Sequence, residues 1–118
     1  DEATWSLFTA IGLGRSALLP KARGMAAVRQ AIAYHREVSV GQSLIALSGV
    51  LHLGRTSLRF FHRMIQQEDS AVVAETVLTA VHLDLTTRRP TPFADEVRAG
   101  AEAWIRLAPD GFALPTGE

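Results

Sequence analysis

Apolar and polar positions alternate in four long blocks. The longest uninterrupted one is residues 71–84, AVVAETVLTAVHLD. It is rich in β-branched residues, lacks Pro and Gly, and is bounded by polar turn residues, so it predicts a central antiparallel strand. Its faces are Val72, Ala74, Thr76, Leu78, Ala80, His82 and Val73, Glu75, Val77, Thr79, Val81, Leu83. Residues 56–67 set Leu58, Phe60, His62 and Met64 against Ser57, Arg59, Phe61, Arg63 and Ile65. Residues 43–53 alternate likewise, and Gly54-Arg55 marks a tight reversal between these two strands. Residues 25–40 are strand-like with broken alternation, which predicts a bend or bulge. Turns are expected around Gly41 and at Glu68-Asp69-Ser70.

The period changes at both ends. In residues 1–13, Trp5, Phe8 and Gly12 recur at helical spacing, widened by Leu7 and Ile11, while Glu2, Ser6 and Thr9 fall opposite. Gly12 and Gly14 supply the stop. Residues 16–24, with Pro20, read as a loop. Thr91-Pro92 reads as an N-cap and first helical position, with Asp95 and Glu96 in the first turn where the dipole favours them. That helix is predicted to run to about Leu107, with Phe93, Val97 and Ala101 on its contact face. The pattern gives one α+β domain over residues 1–108: a helix, four long antiparallel strands in a meander, and a second helix. Residues 109–118 read as a tail.

Composition narrows the classes. At 118 residues a single domain is expected. Hydrophobic content of 47% and charged content of 20% fit a folded globular chain. Lys plus Arg equals Asp plus Glu at 12 each, which argues against a nucleic-acid partner held by bulk charge. There is no cysteine, so disulfides, zinc–thiolate sites and thiol nucleophiles are excluded, and a cytoplasmic location is expected. No apolar run approaches the ~18 residues of a membrane span, so no membrane partner is expected. GxSxG, P-loop and GxGxxG motifs do not occur. The four histidines, His35, His52, His62 and His82, are spread over the strands without HxH or HxxxH spacing, so no metal site is expected. His62 and His82 read as hydrogen-bonded core histidines. Glu75, inside a central strand, requires a partner, with Arg63 on the neighbouring strand a candidate.

Four stretches, in order, carry a family resemblance: DEATWSLFTAIGLG, YHREVSVGQSLIAL, LGRTSLRFFHRM and AETVLTAVHLDLTTRRPTPFADEVR. Over roughly residues 1–100 the chain resembles hotdog-fold acyl-CoA thioesterases of the 4-hydroxybenzoyl-CoA thioesterase type. The resemblance begins inside the helix. These 118 residues show no counterpart of the family's first strand, nor of the turn after it that carries a catalytic Asp or a His/Asn cluster.

The resemblance implies a long sheet wrapped on a central helix. It implies hydrolysis of an acyl thioester by a carboxylate-assisted water, with CoA as part of the substrate and no separate cofactor. It also implies a homodimer, or a tetramer built from it, with sites between subunits. By position on the helix, Asp1 is the candidate catalytic carboxylate. It shares the stripe of Trp5 and Phe8, and a carboxylate set against aromatics has its pKa raised toward general-base range. An Asp here is equally an ordinary N-cap. Thr56 and Ser57 are candidates to line the acyl pocket. Arg55, Arg88 and Arg89 are candidates for the CoA phosphates, since guanidinium is a planar, permanently charged donor; Arg59 and Arg63 share a face that would add to them. Each of these also reads as ordinary strand or surface polarity. A different class is a non-catalytic hotdog domain that binds an acyl group or a protein partner. A third is a cone-like α+β sheet for small hydrophobic ligands, which needs more helix before the strands than this pattern shows.

Overall fold

The computed structural model describes residues 2–38 and 41–117. Helix α1 (Glu2–Ala10) is followed by a one-turn helix α2 (Arg15–Leu18) and a 3-10 turn (Leu19–Lys21). Residues expected as a plain loop are therefore mostly helical: Gly14 caps α2, and Pro20 sits in the first turn of the 3-10 segment, where no N–H is needed. Strands β1 (Arg23–Tyr34), β2 (Leu44–Leu53), β3 (Ser57–Gln66) and β4 (Val72–Asp84) form one antiparallel sheet, extended by the two-residue β5 (Arg89–Pro90) on β4. Helix α3 (Asp95–Glu102) follows.

The strand order is β1-β4-β3-β2. The meander runs through β2, β3 and β4, and β1 joins the far edge of β4. The two edge strands are thus β1 and β2. The irregularity expected in the first strand is present, with a register shift between Ala27 and Arg29 opposite β4. That strand stops at Tyr34, short of the expected residue 40. Beyond it, His35 and Arg36 both donate their backbone N–H to Val73 O, and the chain leaves the ladder.

One sheet face holds the core. Leu7 and Phe8 of α1, with Ile11 just beyond its end, pack on Val50, Leu58, Phe60, Leu78 and Ala80, with Phe93 and Ala101 closing one end. A nine-residue helix is unstable alone. Burying these three side chains, at about 1.5–3 kcal/mol each, is what holds α1 in place. Trp5, expected on that stripe, is instead 45% exposed. Its ring meets the edge of Phe8 and lies under the Arg15 guanidinium.

The second helix starts later than its cap signal predicts. Thr91 N–H donates to His82 O and Phe93 N–H to Arg55 O, so residues 89–93 run extended beside β4. Ala94 becomes the N-cap, and the helix ends at Glu102 rather than near Leu107. The chain then bridges the β2 edge at Ile105 and crosses the outer sheet face.

Candidate active site

Helix α1 begins over the middle of the sheet. Its first turn is tied down by His62 on β3. The imidazole is buried between two hydroxyls, Ser48 Oγ at 2.6 Å from Nδ1 and Thr4 Oγ1 at 2.9 Å from Nε2. A neutral imidazole has one N–H and one bare nitrogen, and a hydroxyl serves either, so both tautomers are satisfied. Burial lowers the His62 pKa from 6.5 to about 4, so the ring is neutral near pH 7. This is the satisfied core histidine that its apolar surroundings predicted.

Cavities flank this turn. Between α1, β1 and β4 lies one of about 330 Å³, lined by Glu2, Gln30, Ile32, Tyr34, His62 and Thr76. Sharing Gln30 with it is one of about 440 Å³ among Trp5, Phe8, Met25, Phe60 and Leu78. Together they make a mainly apolar trough along β1 beneath the helix, with polar groups toward the helix start. On the other flank, about 450 Å³ opens between α1 and β2, again lined by Glu2, with Ser6 and Ser48. An open cleft of about 760 Å³, lined by Tyr34, His35, Leu44 and Met64, lies beyond the same strand ends. Glu2 and Met64 connect these spaces. Glu2 read from sequence as a solvated residue on the polar face. It is exposed, and it stands at the mouth of two cavities.

Asp1, the candidate catalytic carboxylate, lies outside the described residues. The remaining candidates gather at the other end of the sheet. Gly54 N–H donates to Ser57 O and closes the turn that carries Arg55, Thr56 and Ser57. Thr56 O accepts from His82 N–H. Next to this lies the turn after β4. Asp84 accepts from the N–H groups of Thr86 and Thr87 and pairs with Arg23, which holds its carboxyl below the usual range. Arg88 takes φ of 61° there, and Arg88 and Arg89 are exposed with no ion pair among the described residues. Along β3, Ser57 and Met64 are roughly 24 Å apart at the usual strand rise. Within one protomer these five residues are therefore near each other and far from the start of α1.

The two strand arginines differ in situation. Arg63 donates to Glu75 at 3.0 Å and is committed to it, as the cross-strand spacing suggested. Arg59 lies on the outer face beneath Gly117. Among the described residues, no group of three His, Cys, Asp or Glu side chains is placed to hold a metal ion. No helix among them is long and apolar enough to cross a membrane.

Comparison with known proteins decides the family. A model of the thioesterase-like superfamily matches residues 1–100. The chain belongs to that superfamily. A solved structure of PA5185 from Pseudomonas aeruginosa superposes with a TM-score of 0.80 at 18% identity, covering 92% of this chain and 75% of that one. SAV2348 from Staphylococcus aureus, solved in complex with CoA, gives 0.78 at 15% identity, covering 93% and 74%. A 1,4-dihydroxy-2-naphthoyl-CoA thioesterase from Synechocystis gives 0.75 at 15%, covering 85% and 74%. At these identities the likeness shows the fold, which is the hotdog fold of this thioesterase-like chain. No curated protein sequence matches significantly.

Proposed function

We propose that this thioesterase-like chain hydrolyses an acyl-CoA at an interface between two copies of itself. The observation that carries the reading is the trough beneath α1, which opens along the free edge of β1. An acyl group lying in it would bring its thioester carbonyl to the first turn of the helix. There the N–H groups of the first turn and the positive end of the dipole favour a developing oxyanion.

In the proposed reaction Asp1 removes a proton from water as the oxygen adds to the carbonyl carbon. The tetrahedral intermediate collapses, the C–S bond breaks, and the thiolate of CoA leaves and takes up a proton. CoA enters as part of the substrate, and the reaction calls for no other cofactor. The cysteine-free composition suits a reducing cytoplasm.

The separation of the turn residues from α1 supports a site built by two copies. If β1 pairs with β1 of a second copy in antiparallel fashion, the Arg23 end of one strand meets the Tyr34 end of the other. The Arg55–Ser57 and Arg88–Arg89 turns of the second copy then approach the start of α1. There Arg55, Arg88 and Arg89 would meet the phosphates of CoA, and Thr56 and Ser57 the rim of the acyl pocket.

The test is release of free thiol from a panel of aryl- and alkyl-CoA thioesters. Cleavage is expected, and Asp1→Asn is expected to lower kcat by about 10²–10⁴, the usual range for a general base. A folded protein that binds CoA esters saturably and cleaves none of them is instead a non-catalytic acyl-binding hotdog domain.

A further inference from the structure

The face of the sheet turned away from α1 is apolar at its centre. Phe61, Val73 and Val77 lie there, all buried, with Glu75 among them. Among the described residues no helix covers this face. The chain's own segment 105–117 does. It starts as a bridge to the β2 edge, where Val50 N–H donates to Trp104 O and Arg106 N–H to Val50 O. It then lays the Phe112 ring edge-on against Phe61, with centroids 5.6 Å apart. Arg63 sits over the same ring and donates to Asp110 O at 3.0 Å. Ala113 N–H donates to Glu75 Oε1 at 3.2 Å. Glu75 is buried and receives three donors from three parts of the chain: His35 after β1, Arg63 on β3, and the segment itself.

The attachment is local. The Phe112 ring, the Ala113 N–H and the Asp110 carbonyl anchor the central part of the segment, Arg106 lies across Gly49 and Gly117 against Arg59 toward its ends, and the segment itself forms no regular structure. Beside it on the same face, Ile45 and Leu47 of β2 stay exposed. Releasing the segment would join them to Phe61, Val73 and Val77 in one apolar patch of the kind that sheets bury against each other. Its polar centre, Glu75 beside Arg63, carries both signs, so two such faces related by a twofold axis complement one another.

We propose that segment 105–117 is a built-in cap on self-assembly: it occupies the outer sheet face and so excludes a second copy of this chain from packing there. This face is distinct from the β1 edge, and the proposal is read out by mass, so it stands or falls independently of the thioesterase reading.

The experiment uses the full chain carrying Phe112→Ser and Ala113→Pro together. These remove the ring from Phe61 and the N–H from Glu75. Amide exchange across 108–117 is expected to become fast, and light scattering at tens of micromolar is expected to give a discrete species of twice the mass of the unaltered chain. Adding Leu47→Asp to the same variant is expected to return the mass to that of the unaltered chain, because the charge would lie in the new interface. A released segment with unchanged mass overturns the proposal. So do a polydisperse aggregate, a doubled mass indifferent to Leu47→Asp, and a segment that stays protected.

Discussion

His62 and Glu75 are both buried and titratable, and they respond to acid in different windows. Folding keeps His62 neutral, with its pKa near 4 against 6.5 when unfolded. Between those values the unfolded chain binds the extra proton. Stability is therefore whole above pH 6.5 and falls as pH drops toward 4, by about 3 kcal/mol at the end of that range. His62→Gln keeps hydrogen-bonding groups toward Thr4 and Ser48 but has nothing to titrate. Urea unfolding across this range should show the slope in the unaltered protein and its loss in the variant. For Glu75 the sign comes from competing causes. Burial pushes its carboxyl up, but hydrogen bonds from His35, Ala113 and Arg63 together outweigh this and hold it below 4.5. Its contribution is present above pH 4.5 and is lost as pH falls below it. Glu75→Gln leaves Arg63 buried without its counter-charge, so a loss of about 3 kcal/mol is expected near pH 7. That deficit should shrink in melts taken below pH 4.5, where the unaltered protein loses the same pair.

Among the elements, α3 depends on close backbone approach. A Cβ on Gly100 would lie 3.2 Å from Ile11 O and 3.4 Å from Ile11 Cα, so the helix rests directly on the backbone just past the end of α1. Gly100→Val should force the two apart and cost about 1–3 kcal/mol in denaturant unfolding, with near-native helix content by circular dichroism. The same scale shows what was legible beforehand. The four strands followed from parity and turn residues, because each buries a face and a slip of one position would expose it. Element ends depended on partners distant in sequence. The cap signal at Thr91-Pro92 lost to hydrogen bonds reaching His82 and Arg55, and β1 ended where Val73 O drew two N–H groups out of the ladder. Glu2 read as solvated because its helix face is polar, and it is exposed; its place beside two cavities is what the sequence did not show. The cavities that give it a role are made by Met64, Tyr34 and Leu44 from three other strands or their ends, a juxtaposition no local pattern records.

For the whole molecule the decisive feature is the free edge of β1. Val28 is 61% exposed, Ile32 43% and Tyr34 79%, on a strand whose outer edge pairs with no other strand among the described residues. An exposed, apolar edge of this length invites pairing with another strand, and a second copy of β1 can meet it through a twofold axis. Lysine at such an edge blocks pairing, because its charge would have to be desolvated against the opposing strand. Val28→Lys with Ala31→Lys, both exposed on β1 and neither lining the trough, should therefore halve the mass seen by light scattering. The fold should persist, since neither side chain belongs to the buried core. If a second copy brings Arg55, Arg88 and Arg89 to the CoA phosphates as proposed, thiol release should fall at least about tenfold, each charge-assisted bond being worth about 1.5–3 kcal/mol. The loss should appear mainly in KM for CoA esters, because the packing of α1 on the sheet is unchanged. A monomer with unchanged KM would mean that one protomer holds the whole site, and the arginine turns would then need another role.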